Sequence, residues 1–292
     1  MMKPVVIRAG SPSYVLAVLF LCGLPLQAQK LKQYKKQNRD RITQLAEGET
    51  GQAIRYFEKY LRENPNDLEA KYGLAIGYAQ RGERARSKQM ADLSIEEGFP
   101  VERYLAGPRE LTEGIPITSE AELIHGPMLG SVTDTSARFW VRTRHEVPVS
   151  IEIVGAGQSG EATTSAAKDY TAVIEVGGLK PDQRHTYTLS VDGKRVGDQH
   201  AFVTMPAAEK PGAFDIVFGG GAGYTPAYEH MWTTIAGVAP RALFLLGDNV
   251  YIDTPFVRAT QQYCYYRRQS RPEFRALVAG TSVSAIWDDH DF

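Results

Sequence analysis

Apolar residues recur at helical spacing from position 48 onward. Ala53, Phe57 and Tyr60 share one helix face, and Pro65 ends that helix because its ring cannot continue the backbone ladder. Leu74, Tyr78 and Gly82 mark the next helix. Upstream, residues 30–46 are basic and polar, with Lys30, Lys32, Lys35, Lys36, Arg39 and Arg41 between sparse apolar positions, and this predicts a solvated helix. Proline, glycine and acids then dominate residues 99–122 (Pro100, Gly107, Pro108, Gly114, Pro116), which predicts a linker and a domain boundary. After it the period changes. Ala137, Phe139 and Val141 alternate with Ser136, Arg138, Trp140 and Arg142; Val149-Ile151-Ile153 and Tyr187-Leu189-Val191 repeat the alternation, separated by turns at 155–160 and Asp192-Gly193. That is the pattern of short antiparallel strands in a small β-sandwich over 123–206. From Ala213 two near-continuous apolar runs, Phe214 to Phe218 and Ala242 to Leu246, flank a helix predicted from about Ala227 to Val238. Such runs are expected where both faces of a largely parallel or mixed α/β sheet are covered.

The order Ala53, Phe57, Pro65, followed by Leu74, Tyr78 and Gly82, resembles the tetratricopeptide repeat. One unit and a partial second fall short of the roughly three repeats such solenoids need, so this region is expected to lean on its neighbour or to act as a plain helical spacer. In the β-rich segment, Leu179-Lys180-Pro181 followed by Tyr187 resembles the turn and tyrosine corner of immunoglobulin or fibronectin type III domains. Its expected role is a structural module packed on the next domain, with a binding surface as the other reading. His145, His185 and His200 show no ligand spacing and read as surface or capping residues.

Length and composition, 292 residues with 43% apolar and 23% charged, give material for two or three ordinary domains. Residues 1–28 read as an export signal: Lys3 and Arg8 in front, an apolar stretch from Tyr14 to Cys22, and Leu26-Gln27-Ala28 as a small-residue cleavage site. The apolar run is shorter than the ~20 residues that span a bilayer, so cleavage after Ala28 leaves no membrane span and a secreted or periplasmic protein. The remaining chain has 31 Lys+Arg against 34 Asp+Glu, which argues against nucleic acid as a partner. Cys264 is then the only cysteine, and no intrachain disulfide can form.

The chemistry collects at strand ends. The first apolar run of the α/β segment ends in Gly219-Gly220-Gly221-Ala222-Gly223, the second in Gly247-Asp248-Asn249, and a third, Val283 to Trp287, in Asp288-Asp289-His290-Asp291. Active sites of α/β sheets form at the carboxyl ends of strands. A phosphate ester repels nucleophiles by its own charge, and cations held by carboxylates relieve that repulsion. A short Asp at a strand tip can hold a cation rigidly, and a neighbouring His can donate to a phosphoryl oxygen or protonate a leaving group. Three acids within four residues repel one another unless solvent or a cation intervenes.

At these residues the chain resembles the PhoD-like alkaline phosphatases of the metallophosphoesterase superfamily. Leu246-Gly247-Asp248-Asn249-Val250-Tyr251 and Ile286-Trp287-Asp288-Asp289-His290-Asp291-Phe292 look like two hallmark motifs, and Tyr265-Tyr266-Arg267-Arg268, Pro272-Glu273-Phe274 and His125 to Val132 match the intervening helix and the opening of the preceding β-module. The resemblance implies a multidomain architecture: α-helical tetratricopeptide-like hairpins over 29–98, a linker over 99–122, an immunoglobulin/fibronectin III-like β-sandwich over 123–206, and an incomplete α/β metallophosphoesterase core over 213–292. It implies hydrolysis of phosphate monoesters or diesters by metal-activated water, with two metal ions, calcium or iron or both, in the complete domain. Asp248 would bridge metals, Asp289 and the weaker candidate Asp288 would ligate, Tyr265 or Tyr266 would supply a tyrosine ligand, His290 would act in catalysis and contact the phosphate, and Asn249 would contact substrate. Two departures stand out. Gly221 occupies the position where relatives place a metal-binding Cys, leaving water, Tyr224 or another cation to complete the site, while Cys264 reads as a packing residue. The chain also stops two residues after His290, so further ligands and a longer chain are expected. A phosphate-ester substrate and a protein partner on the repeat are the implied partners. A non-catalytic secreted scaffold and a phospholipase D-like diesterase are the rival readings.

Overall fold

The computed structural model describes residues 5–9, 38–210 and 212–292. The rest of residues 1–28, where an export signal is expected, and residues 29–37 lie outside the described residues. The described chain opens with strand β1 (Val5–Ala9) and a helix α1 over residues 38–46. Contrary to the solvated helix expected there, α1 buries Ile42 and Leu45 together with Asn38 and Arg39. Two apolar residues one turn apart are enough to seat a short helix when its polar residues find partners inside.

Helices α2 (Thr50–Glu63), α3 (Leu68–Gln80) and α4 (Arg84–Glu96) follow as antiparallel hairpins. Asp67 caps α3 by accepting the Ala70 N–H at 2.9 Å, and Pro65 stands just past the end of α2. Gly82, at φ +78°, closes α3 with the Glu83 N–H donating to the Tyr78 carbonyl, a turn that favours glycine. Small residues set the helix spacing: a Cβ at Gly73 would stand 2.3 Å from the Phe57 ring, and one at Gly77 2.7 Å from Ile54. The stretch read as a linker is instead folded into this unit as α5 (Glu102–Ala106) and α6 (Arg109–Thr112). Its prolines and glycines make the turns, while Phe99, Tyr104, Leu111 and Ile115 enter the helical core. That core continues into Val250, Ile252, Ala259, Tyr263 and Cys264 of the later α/β segment, so the helices are not a free-standing spacer.

The β-rich segment is a sandwich of two antiparallel sheets. One has the order β2 (Leu123–Gly130), β3 (Ser136–Thr143), β6 (Thr171–Gly177); the other, the order β5 (Ser159–Thr163), β4 (Pro148–Ile153), β7 (Arg184–Val191), β8 (Lys194–Val203). The alternating residues Phe139, Val141, Ile151, Tyr187 and Leu189 fill the space between them. Tyr187 does not form the expected corner. Its hydroxyl donates to the Ala279 carbonyl of the α/β segment at 2.8 Å, and the Lys180 carbonyl is taken instead by Thr204 and the His185 ring. Of the other histidines read as surface or capping residues, His145 is exposed and His200 lies against the Tyr187 ring. Arg142 ties the units together: its guanidinium donates to the Ala106 carbonyl of α5 and to Asp169, whose second oxygen accepts from Tyr266 at 2.7 Å.

The last unit alternates β9 (Phe214–Gly219), α7 (Met231–Ala236), β10 (Ala242–Leu246), α8 (Arg258–Gln269), α9 (Pro272–Gly280) and β11 (Ser282–Ile286). The predicted 227–238 helix is thus shorter, preceded by a single 3-10 turn at Pro226–Tyr228. The sheet order is β1-β9-β10-β11, parallel except for β1, which runs antiparallel to β9. One face is covered by Trp232, Ile235, Phe274, Leu277 and Val278. Among the described residues the other face is open, with Phe244 40%, Leu246 47% and Ile286 60% exposed, so the expectation of cover on both faces is met on one only. No helix among the described residues is long and apolar enough to cross a membrane.

Gly73→Ala tests the α2–α3 contact. Alanine is the better helix former, but the buried Phe57 ring leaves no room, so stability should fall by about 1–3 kcal/mol, read as a lower thermal midpoint. An unchanged or raised midpoint would show that the helices can move apart freely.

Candidate metal centre

Parallel pairing of β10 with β11, ending at Leu246 opposite Ile286, sends the Gly247-Asp248-Asn249 and Asp288-Asp289-His290-Asp291 loops out of the same sheet edge. The two loops touch. Gly247 sits at φ +92°, and a Cβ there would lie 2.7 Å from the Asp288 Cβ, so only glycine permits the approach. Asp248 follows at φ +52°, a left-handed conformation that Asp tolerates better than most residues.

The buried Asp291 carboxylate locks this contact. Its Oδ1 accepts the Asn249 and Val250 backbone N–H groups at 2.7 and 2.9 Å; its Oδ2 accepts the Asp288 N–H at 3.1 Å and the Asn249 side-chain amide at 3.2 Å. The Ile252 N–H donates to the His290 carbonyl at 2.8 Å. The glycine loop after β9 joins the same edge through the Gly221 and Ala222 N–H groups, which donate to the Gly247 and Asp248 carbonyls. Arg268 of α8 braces the Asp248 loop and the glycine loop, donating to the Asn249 and Ala222 carbonyls.

Within this frame Asp248, Asp289 and His290 each offer one ligand atom, all within 4.8 Å of one another. The donor set suits a cation on a second observation. Tyr251 donates to Asp248 Oδ2 at 3.1 Å, while Asp248 Oδ1 is buried and has no hydrogen-bond partner. A buried carboxylate oxygen left bare is costly unless something positive meets it.

The His290 ring is oriented on both sides. Nδ1 is hydrogen-bonded to Asp253, which leaves Nε2 on the side of Asp289, 4.0 Å from its Oδ2. The Tyr251 ring lies 4.6 Å from the His290 ring. The Asp253 hydrogen bond raises the imidazole above its ordinary pKa, partial burial opposes this, and the charges of Asp253, Asp289 and Asp248 add to the rise. Asp253 in turn is paired with Arg39 of α1, which also donates to the Tyr251 carbonyl at 3.0 Å. Burial pushes the Asp253 carboxyl up, but the bonds from His290 and Arg39 outweigh it and hold it below the usual range.

Other residues expected at the site stand elsewhere. Asp288 is exposed and outside the three-residue group; its Oδ1 accepts the Asp289 N–H, shaping the loop. The Asn249 amide nitrogen is committed to the Ile286 carbonyl and Asp291, so it holds the loops rather than facing a substrate. Tyr265 donates to the Asp291 carbonyl at 3.3 Å, and burial with the Asp291 charge pushes its phenol up to about 12, so it is a neutral donor behind the site. Tyr266 is bound to Asp169 of the sandwich and Tyr224 to Glu69 of α3, which removes both from the metal centre. Cys264 is fully buried against the Tyr251 carbonyl, as a packing residue would be. The residues that sequence reasoning passed over are Arg39, Tyr251, Asp253 and the staple role of Asp291. Tyr251 lay in a quoted motif; Arg39 and Asp253 carried no local signal.

Residues 44–106 match the tetratricopeptide repeat family, and residues 120–208 match a domain of unknown function, DUF7800. Among solved structures the chain is similar to one described as the structure of PhoD, at 18% identity and a TM-score of 0.50, over 60% of this chain and 40% of that one. The chain therefore spans 40% of that protein's length, and at this identity the likeness shows a shared fold. A second likeness, to the sensor domain of the anti-sigma factor RsgI4 in Pseudobacteroides cellulosolvens, covers 31% of this chain and 100% of that one at 16% identity, and its TM-score of 0.23 carries no argument. No curated protein matches.

Asp291→Asn tests the staple. The introduced amide would present hydrogens to N–H donors, and stability should drop by about 2–3 kcal/mol in denaturant titration. A change within error would mean that the loops hold their approach without it.

Proposed function

We propose that this chain carries part of an exported, metal-dependent phosphoesterase that cleaves phosphate esters with metal-activated water. One observation carries the reading: Asp248, Asp289 and His290, from two strand tips, offer ligand atoms within 4.8 Å of one another at the carboxyl edge of a parallel sheet. The PhoD-like fold supports it at the level of architecture. A scaffold without chemistry has no need of such convergence, which disfavours that alternative.

Asp248 and Asp289 are the residues proposed to hold the ion, with the bare Asp248 Oδ1 as the first donor. A bound cation would polarise the ester and supply hydroxide near neutral pH. Carboxylate oxygens suit calcium or iron. Tyr251 fixes the Asp248 carboxylate by occupying Oδ2. His290, held through Nδ1 by Asp253, keeps Nε2 for a phosphoryl oxygen or a leaving group. Asp253 is a positioning residue and Arg39 positions it in turn. A two-ion site needs more donors than Asp248 and Asp289 supply. The open apolar face at Phe244, Leu246 and Ile286 is where further secondary structure would pack.

Hydrolysis of p-nitrophenyl phosphate and bis-p-nitrophenyl phosphate, measured with calcium and iron supplied, should fall by roughly a hundredfold or more in Asp248→Ala and Asp289→Ala, and by about 10–100-fold in Asp253→Asn. Rates equal to wild type in the first two would end the proposal. Export is proposed from the sequence, and cleavage after Ala28 would take β1 away from the edge of β9. Intact-mass measurement of the exported protein is expected to place the mature terminus at Gln29, whereas a chain still beginning at Met1 would refute a cleaved signal.

A further inference from the structure

A cavity of about 580 Å³ lies between the helical unit and the α/β unit, within the size range of small-molecule sites. Leu68, Phe99, Pro226 and Ala227 give it apolar walls, and Arg103 of α5 and Arg267 of α8 stand among its lining residues. Both arginines are 1% exposed. Arg103 spends Nη2 on Glu69 at 3.1 Å, while its Nε and Nη1 have no hydrogen-bond partner. Arg267 has no partner for Nε, Nη1 or Nη2.

The local carboxylates cannot serve these donors. Glu69, the buried acid here, already accepts from Arg103, from Tyr263 at 2.8 Å and from Tyr224 at 3.3 Å. Asp67 caps α3 and accepts from Tyr60, and Glu273 is paired with Arg271. Two buried guanidinium groups therefore face one buried carboxylate. The Tyr224 and Tyr263 rings, 4.5 and 5.1 Å from the Arg267 guanidinium, soften its charge but offer no acceptor along its N–H bonds. Planar guanidinium forks match oxyanions, and a buried unpaired cation is retained at a cost that a bound anion would remove.

We propose that this cavity is a binding site, separate from the metal centre, for a small organic anion whose phosphate or carboxylate head sits on Arg103 and Arg267 and whose apolar body lies against Leu68 and Phe99. It stands independently of the phosphoesterase reading, because none of Asp248, Asp289 or His290 lines it.

The test uses the full chain in EDTA, titrated calorimetrically with phenyl phosphate, with benzoate and with neutral benzamide. Saturable binding of phenyl phosphate or benzoate, but not of benzamide, is expected, and which anion binds tells the phosphate source from the carboxylate source. Asp289→Ala should bind equally well, placing the anion away from the metal centre. Arg267→Gln should abolish binding. Since that variant changes a buried residue, Ala227→Glu at the exposed rim serves as its partner: the added carboxylate should weaken either anion about tenfold or more while the fold is kept. Absence of binding by both anions, equal binding of benzamide, loss of binding in Asp289→Ala, or undiminished binding in Ala227→Glu would each overturn the site.

Discussion

The arrangement of the candidate centre depends on one buried carboxylate. Asp291 contributes no ligand atom to the acid cluster, yet it accepts from both strand-tip loops at once, from Asn249 and Val250 on one side and Asp288 on the other. Charge-assisted bonds to backbone N–H groups are the stronger kind, and here they act across two loops that carry like charges. Asp248 and Asp289 would otherwise drift apart by repulsion. Gly247 makes the contact sterically possible, and Asp291 makes it favourable.

The helical unit is part of the same construction. Arg39 of α1 reaches Asp253 and the Tyr251 carbonyl, Glu69 of α3 receives Tyr224 and Tyr263, and apolar residues of α2 to α6 share one core with Val250, Ile252 and Cys264. A short repeat array cannot bury its own open face, and here α8 supplies the missing layer. The sandwich is anchored through Arg142 to α5, through Asp169 to Tyr266, and through Tyr187 to Ala279. The three units were distinguishable by their periodicity, but their polar residues were chosen for one another.

That difference governs what was legible in the sequence. Periodicity reports which face of an element is apolar, so α2, α3 and the alternating strands of the sandwich could be read directly, as could the two acidic strand tips. It says nothing about a polar residue whose partner is far along the chain. Arg39 and Asp253 are 214 positions apart, Glu69 and Tyr263 194, and neither member of either pair has a local pattern that would announce it. The segment 99–122 was misread for a related reason. Its composition is that of a linker, yet Phe99, Tyr104, Leu111 and Ile115 fall between the turns and are buried. Asn249 and Asp288 are expected at the site from the resemblance of their motifs, and their hydrogen bonds make them shape its loops.

Gly221, expected from the resemblance to stand where relatives carry a cysteine, bears on the donor chemistry. It lies at φ +72°, where any side chain is strained, and a Cβ built on it would come 3.7 Å from the Tyr251 hydroxyl. A cysteine introduced there would have to accept a left-handed backbone, while its Cβ would meet the phenol only at ordinary contact distance. Burial and the Asp248 hydrogen bond push that phenol up to about 12, so Tyr251 stays protonated and keeps one oxygen of Asp248 engaged. Among the described residues the candidate centre offers carboxylate oxygen and imidazole nitrogen, and the described thiol, Cys264, is sealed in the helical core.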